Sequence, residues 1–587
     1  MIAENESTRS RRGGAARILT GLLALVIAIA LVYGATGYCF HTNPADPSVQ
    51  QPIGPAMVLF ASWPKNAKPD AVIILSGQTF GYVQPCGCSR PQKGGLERRA
   101  NFIDSLRKKG WSVAGVDLGD VYPDRHPIGP PPITAPVEES LLKYKTTMNA
   151  LRDMGYIAVG AGKTEFAAGL GKITAEYALQ KEQPPYTLAG NVVGLSEGKV
   201  VPREKFFPAA PGAQRPLVGL VEIAAFANVS VGIVGVVGKG LDAEAAKLDS
   251  SIKVEGAQAA LAEAVRQLAA APKPPAANVL LYQGSIELAR LVAKDRSEFN
   301  VILCLSEDSE PPQFPEYVTH PSGAKTMIVQ VGHKGRYVGT IGVFKTAGGG
   351  AELKYQLVPL GEEYITPMDA ASEKANKVLP LLEQFAVEVK RDRFLEAIGQ
   401  VPHPAQIQSP KSNLSYIGSE KCLSCHGGEH KKWSESKHGH AMNALETLAK
   451  RPGLRNLDPE CVVCHSIGFG FKTGYVNPDK TPNLKHVGCE SCHGPGSGHA
   501  AAPKDETLLK YQSPWKQAKT DRLPDLALMA KLADPAERSK VSLPAAQQRV
   551  ANVVNAMCMK CHDNENDPHF DLYTYWPKIV HSGLGKK

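Results

Sequence analysis

The strongest constraint on this chain is a short motif, Cys-x-x-Cys-His, that occurs four times between Cys422 and His562. Two thiols with this spacing match the two vinyl groups through which a porphyrin is attached in c-type haem sites, and the histidine that follows can bind the iron. Each copy therefore predicts one covalently bound haem c. The predicted attachment cysteines are Cys422, Cys425, Cys461, Cys464, Cys489, Cys492, Cys558 and Cys561, and the predicted proximal ligands are His426, His465, His493 and His562.

The alternatives for these cysteines are zinc sites and disulfides. The four motifs use eight of the twelve cysteines of the chain. Neither zinc nor disulfide pairing needs a histidine directly after every second cysteine, so haem attachment is the preferred interpretation.

The segment 413–587 is predicted to be a tetrahaem cytochrome c domain of short helices and loops. Four porphyrins in so short a segment leave little room for a protein core, and folding should depend on haem attachment as it depends on metal in small metallodomains. Seven histidines outside the motifs are candidates for distal ligands: His430, His438, His440, His486, His499, His569 and His581. Two imidazoles on each iron leave no open position for a substrate, which suits electron transfer.

The residues around the motifs resemble the tetrahaem cytochromes c that accept electrons from hydroxylamine oxidoreductase, and their multihaem relatives. The matching stretches are Tyr416-Ile417-Gly418-Ser419, Trp433 with Ser436-Lys437-His438, Asp458-Pro459-Glu460, Val487 to Gly496 with His499, and Tyr575 to His581. The resemblance implies that His438, His499 and His581 are distal ligands and that the fourth is His440 or His486. Some relatives keep one haem five-coordinate, so the resemblance also leaves an enzymatic role open.

The segment 70–365 alternates β-rich apolar runs with helical patterns, which indicates an α/β domain. Ala71–Leu75, Val113–Leu118 and Val229–Val237 are predicted strands, and Val137–Met154 is a predicted helix. Thr326–Phe344 and Ala351–Pro359 are expected to form a hairpin around the glycines at 348–350.

This segment resembles the 5'-nucleotidase branch of the metallophosphoesterases. The residues that carry the resemblance are Gly94 to Ala100, Val116-Asp117-Leu118-Gly119-Asp120, Leu188 to Val192, and Val329 to His333 with Gly335 to Gly339. The family has a four-layer sandwich and two metal ions at the strand ends, so the resemblance implies that fold here.

The metal ligands of that family are mostly missing. Gln78 and Phe80 stand where the family has Asp-x-His, Lys163 stands in its Gly-Asn-His-Glu turn, and Cys304 to Asp308 lacks histidine. Asp120 is the one metal ligand of the family that is clearly present. Two-metal hydrolysis needs several carboxylates and histidines. We therefore interpret the domain as a non-hydrolytic scaffold or docking module and predict no metal beyond haem iron; a working phosphoesterase is the alternative.

The N-terminus carries the features of an export signal. Ile18–Gly34 is uncharged and apolar, and Arg9, Arg11, Arg12 and Arg17 precede it. A single membrane-spanning anchor at 18–34 is predicted, with 1–17 in the cytoplasm and the bulk of the chain on the periplasmic side; a cleaved signal peptide is the alternative. Residues 35–69 read as a linker, and residues 366–412 as a helical connector with a Pro-rich end.

The chain is thus interpreted as a membrane-anchored, exported electron carrier with four haems. Its net charge of +9 would be nearly cancelled by the haem propionates, and no nucleic-acid partner is predicted. The expected partners are redox proteins or quinol-linked complexes. The alternatives are a haem enzyme acting on a small nitrogen or sulfur compound and a phosphoesterase fused to a cytochrome. The roles of Cys86 and Cys88 stay open.

Overall fold

The computed structural model describes residues 58–65, 67–85, 91–124, 129, 131–178, 184–409, 413–449, 451, 453–564 and 566–581. The predicted anchor at 18–34 and the two cysteines Cys86 and Cys88 lie outside these residues. In the described ranges, no helix is long and apolar enough to cross a membrane.

The first half of the described chain contains two large sheets and one small one. The seven-stranded sheet has the order β16-β15-β1-β2-β3-β4-β7, the six-stranded sheet β13-β14-β12-β11-β9-β8, and the small sheet β10-β5-β6. The strands are β1 Ala71–Ser76, β2 Val113–Asp117, β3 Tyr156–Gly160, β4 Tyr186–Leu188, β5 Val192–Ser196, β6 Lys199–Val201, β7 Val218–Gly219, β8 Val221–Ala225, β9 Ser230–Val237, β10 Ile252–Val254, β11 Ala277–Gln283, β12 Val301–Cys304, β13 Glu316–Thr319, β14 Lys325–Val329, β15 Tyr337–Lys345 and β16 Ala351–Pro359.

Strand β1 shows why the two large sheets stack. Its six residues are all buried, and alternate side chains of a strand face opposite ways. Ile73 and Leu75 pack in the cluster between the two sheets, while Val72 and Ile74 pack against helices on the outer face. A continuous apolar run is therefore required, because both faces of this strand are covered.

Helices cover the outer face of each large sheet, which completes four layers. Phe102 of the helix Leu96–Lys108 and Met148 of the helix Val137–Asp153 pack against the seven-stranded sheet. Leu261 and Ala289, from two further helices, pack against the six-stranded sheet. The α/β fold predicted for this region is present. The remaining helices of the region are Lys163–Ala168, Leu170–Ala178, Arg203–Phe206, Leu241–Leu248, Ala257–Ala269 and Ile286–Asp295.

Two sequence predictions need correction. The stretch 326–344 is not one arm of a hairpin: β14 belongs to the six-stranded sheet and β15 to the seven-stranded sheet. The chain changes sheets at Gly332 to Gly335, where three residues have positive φ; β15 and β16 do form the expected hairpin. The connector is not one helix but four, Ala370–Ala375, Leu379–Asp392, Phe394–Ala397 and Pro404–Gln408. The second of these ends before Arg393, which adopts a left-handed conformation with φ 56°.

The last part of the chain is helical and loop-rich, as predicted. Its described residues from 413 onward include no named strand. The α-helices from 404 on are Pro404–Gln408, Gly427–Ser434, Ala441–Asn443, Pro459–His465, Cys489–His493, Ser497–Ala501, Glu506–Tyr511, Leu526–Ala533, Pro535–Arg538, Ala545–Cys558 and Leu572–Ile579. Short 3-10 turns occur at Ser419–Cys422, His438–His440, Arg455–Leu457 and Pro482–Leu484.

Candidate functional sites

Each Cys-x-x-Cys-His motif is built as a helical turn. Cys461 to His465 end the helix Pro459–His465, and Cys489–His493 is a helix in its own right. In the fourth motif the His562 amide donates to the Cys558 carbonyl at 2.9 Å, which is the same i to i−4 bond. Residues three and four apart share one face of a helix. Both cysteines and the histidine therefore point the same way, as attachment to one porphyrin requires.

Three of the four motif histidines face a second histidine from elsewhere in the chain. The ring centres are 6.1 Å apart for His426 and His499, 6.0 Å for His562 and His438, and 6.2 Å for His493 and His581. Imidazole nitrogens bind a transition metal at about 2 Å, so two rings on one ion have centres about 6 Å apart. These three pairs have the spacing that a shared iron needs, and the residues present fit haem.

Carbonyl and carboxylate oxygens orient three of the motif histidines. The Nδ1 atom lies 2.7 Å from the Ala441 carbonyl oxygen in His465 and 2.6 Å from the Gln512 carbonyl oxygen in His493. In His562 it lies 2.8 Å from Asp567, whose side chain is buried. These oxygens accept, so Nδ1 carries the hydrogen and Nε2 is left as the nitrogen that can bind metal.

The other candidate histidines make different contacts. His440 and His486 face each other with ring centres 6.5 Å apart, and neither belongs to a motif. The Met442 amide donates to Nδ1 of His486 at 3.2 Å. His430 lies 3.2 Å from the Glu420 carboxylate. The choice between His440 and His486 as a fourth distal ligand stays a prediction.

Contacts between cysteines show which motifs are neighbours. The Cys422 side chain lies beside that of Cys489, and the Cys561 side chain lies beside that of Cys464. The first motif therefore adjoins the third, and the second adjoins the fourth. Among the described residues, none of the cysteines is in a disulfide and no group of three or more potential ligands could hold a metal ion.

Glu490 is a site residue that the sequence did not reveal. It lies inside the third motif and is 3% exposed. Its carboxylate accepts backbone hydrogen bonds from Ile417, Gly418 and Gly496 at 2.7 to 3.0 Å. The segment before the first motif is thereby fastened to the third motif, which explains how these two distant motifs become neighbours. In the sequence, Glu490 was distinguished only by lying in the stretch Val487 to Gly496, which carries the family resemblance.

A second candidate site lies where strands of the α/β region end. The Gln78 amide donates to the Ser306 carbonyl oxygen at 3.1 Å and accepts from the Ser306 amide at 2.7 Å. His333 lies 2.8 Å from the same carbonyl oxygen, and Phe80 meets the His333 ring edge-on at 5.5 Å. Gln78 is 5% exposed. Its amide thus joins two loops by hydrogen bonds at the position where a metal ligand was absent from the sequence.

Two carboxylates at this strand end also hold backbone. Glu165 accepts from the amides of Gly162, Asp120, Val121 and Tyr122 at 2.8 to 2.9 Å. Asp120 accepts from the Thr164 amide at 3.0 Å. Burial, and next the charge of Glu165, raises the pKa of Asp120 to about 7. Lys163 points to Glu244, with its ammonium nitrogen 2.7 Å from the carboxylate.

The raised pKa of Asp120 predicts a pH dependence of stability. The unfolded chain releases this proton near pH 4, whereas the folded chain keeps it up to about pH 7. The free energy of unfolding should therefore fall as pH rises from about 4 to 7, by at most about 1.4 kcal/mol per pH unit, and then level off. Asp120→Asn keeps an acceptor for Thr164 and should remove this slope, as amide exchange of β2 and β3 at pH 5 and pH 8 would show.

The matched control is Asp153→Asn, because Asp153 is partly exposed and paired with Arg152 on the surface. This variant should keep the wild-type slope. An Asp120→Asn protein whose exchange follows pH as steeply as the wild type would contradict the prediction.

Comparison with known proteins bears on both regions. Residues 421–494 match the family described as cytochrome c554 and c-prime. Cytochrome c-554 of Nitrosomonas europaea is 39% identical over 99 residues, which are 15% of this chain and 42% of the relative. The chain thus spans less than half the length of this curated relative.

Solved structures are similar over the other part of the chain. A 5'-nucleotidase precursor from Thermus thermophilus superposes with a TM-score of 0.42 and 18% identity, covering 55% of this chain and 59% of the other. A sulfate thiohydrolase from the same organism gives 0.41 and 16%, covering 56% and 62%. An NAD nucleotidase from Haemophilus influenzae gives 0.40 and 14%, covering 63% and 69%.

Proposed function

We propose, from the cytochrome c554 match of residues 421–494, that this protein is a multihaem c-type cytochrome that carries electrons through four covalently bound haems. The observation that carries the proposal is the set of three histidine pairs at 6.0 to 6.2 Å, each joining a motif histidine to a distant one. In this proposal His499, His438 and His581 are the distal ligands opposite His426, His562 and His493.

The arrangement of the chain favours electron transfer over substrate chemistry at these three positions. Each of these pairs would hold a haem iron between two histidines and would leave it no open position for a substrate. When bound, haem supplies a centre that gains and loses single electrons. Cys422 lies beside Cys489 and Cys561 lies beside Cys464, so the motifs that carry them are neighbours, as a relay requires.

The α/β region is proposed to be a scaffold rather than a phosphoesterase. The Gln78 amide both donates to and accepts from the Ser306 backbone. The Glu165 carboxylate accepts hydrogen bonds from four backbone amides. Gln78 stands where the resembling family has the aspartate of its Asp-x-His pair, and it offers an amide in place of the carboxylate that two-metal hydrolysis needs. We expect no hydrolysis of 5'-AMP or p-nitrophenyl phosphate above background with added Mn²⁺.

The location and partners of the protein are also proposals. The apolar segment Ile18–Gly34 with its preceding arginines supports a single anchor in the cytoplasmic membrane and a periplasmic position for the rest. Haem attachment to cysteine pairs takes place on that side of the membrane. The proposed partners are redox proteins or quinol-linked complexes that meet the haem region through a small transient contact.

The test is a haem count by pyridine haemochrome together with a paramagnetic resonance spectrum of the purified full chain. We expect four haems per chain, with at least three low-spin signals. A count below four would contradict the number of sites. A high-spin signal that shifts with nitrite or hydroxylamine would favour the alternative of a haem enzyme at one motif.

A further inference from the structure

The helix that carries the second motif lies against the α/β region. Gly129 approaches Val463 so closely that a Cβ atom added to the glycine would lie 2.2 Å from a valine methyl carbon. Ile133 is packed in one cluster with Val462 and Val463. The α/β region therefore packs against the helix that carries Cys461, Cys464 and His465.

A buried ammonium group from the α/β region reaches the beginning of this helix. Lys143 projects from the helix Val137–Asp153 and is 1% exposed. Its Nζ lies 2.6 Å from Glu460, the residue directly before Cys461. It also lies 3.4 Å from Glu139, which is fully buried.

One further carboxylate, Asp458, acts on this ammonium. Asp458 caps the second-motif helix by accepting from the Glu460 amide at 2.8 Å, and its charge acts on Lys143. Burial lowers the pKa of Lys143, but the charges of Glu460, Glu139 and Asp458 outweigh that and raise it overall. Lys143 is therefore a permanent buried cation.

Stability alone is a weak reason to bury such a charge. Removing Lys143 and Glu139 from water is costly, and apolar replacements of similar volume are often neutral or stabilising. Lys143 also offsets the negative charge of Glu460, which directly precedes Cys461. This offset favours the reduced form of a redox group at the second motif, because reduction adds one negative charge.

We propose that Lys143 is a positioning residue of the second motif: it holds Glu460 and the start of the helix that carries Cys461, Cys464 and His465, and it raises the reduction potential at this motif. The inference rests on the proposed function, since it requires a haem there. It gives the α/β region a role in electron transfer, as the source of a charge that acts on the second motif.

The test compares Lys143→Met with Lys145→Met in the full-length haem protein. Lys145 lies on the same helix but pairs with Glu176 at 2.7 Å and is partly exposed. Spectroelectrochemical titration should resolve four one-electron components. In Lys143→Met, the ferrous-to-ferric ratio of one component should fall about tenfold at fixed ambient potential, the order of effect of one desolvated charge. Lys145→Met should leave all four components in place.

The partner residue supplies an opposite prediction. Glu460→Gln removes a negative charge and leaves the cation, so the same component should move to higher potential. This variant and Lys143→Arg, which should keep the wild-type potential, carry the test if Lys143→Met does not accumulate with its haems. A purely structural Lys143 would lower the unfolding midpoint without moving any component.

The outcomes separate the two proposals. A wild-type chain without haem overturns the proposed function and this inference with it. A four-haem wild type whose components do not move in Lys143→Met and Glu460→Gln, or move equally in Lys145→Met, overturns only the role of Lys143.

Discussion

Replacing His438 with alanine is expected to convert one haem of this protein from low spin to high spin. His438 faces His562 with ring centres 6.0 Å apart, so its loss would open one axial position at the fourth motif. The change should appear as a new high-spin signal in paramagnetic resonance and as carbon monoxide binding by about one haem in four. His499→Ala and His581→Ala should each have the same effect at the first and third motifs.

The control for these variants is His430→Ala. His430 lies in the same region but contacts Glu420 and the ring of Trp433 rather than a motif histidine. It should leave every haem low-spin. A second check assigns the site: in a chain whose Cys558 and Cys561 are replaced by serine, His438→Ala should add no further high-spin signal. A new signal in that background would show that His438 serves another motif.

A chain with all eight motif cysteines replaced by serine is expected to keep the α/β region folded and to lose structure toward its C-terminal end. The described core of that end is small: its buried apolar side chains are Met529, Leu532, Val550, Ala551, Val554 and Leu572. Each of the larger ones contributes about 1.5 to 3 kcal/mol on burial, whereas ordering each residue costs about 1 to 2 kcal/mol. Without porphyrins, the free energy gained by burial should therefore not offset the cost of ordering the chain from about residue 504 onward.

Amide exchange read by mass spectrometry would test this expectation. Peptides from β1 and β9, whose residues are all buried, should stay protected with or without haem. Peptides from the helix Ala545–Cys558 should lose protection only in the cysteine-free chain. Retained protection of that helix without haem would show that the protein core alone is sufficient there.

The local parts of this structure could be predicted because their causes are local. The strand Ala71–Leu75 was predicted from a short apolar run, and the structure places β1 at Ala71–Ser76. The helix predicted at Val137–Met154 ends one residue earlier, at Asp153. By contrast, the change of sheet within 326–344 was missed, because a strand has the same apolar sequence pattern in either of two buried sheets.

The pairing of histidines depends on contacts that spacing does not encode. His438 follows His426 by twelve positions in the sequence, yet it faces His562 near the other end of the region. The backbone bonds to Glu490 fasten residues 417 and 418 to the third motif across 73 and 72 positions, respectively. Such contacts exist only once several helices have packed together.

Lys143 illustrates the same limit for charge. In the sequence it is an ordinary lysine in a helix, and surface solvation is the usual outcome for such a residue. In the structure it is fully covered and bound to a carboxylate beside the second motif. Lys143 is buried only because the α/β region packs on the helix that carries the second motif.

The sequence by itself determined where haem attachment is expected and which histidine follows each site. The reason is that Cys-x-x-Cys-His is a local motif, whose three side chains share one face of a helical turn. The sequence also indicated that the α/β region lacks the ligands of a two-metal hydrolase. The tertiary structure alone decided which histidine faces which motif, which motifs adjoin, and that Lys143 is buried against Glu460, directly before Cys461. Local geometry follows from neighbours in the chain, whereas pairing and burial follow from distant segments that share a core.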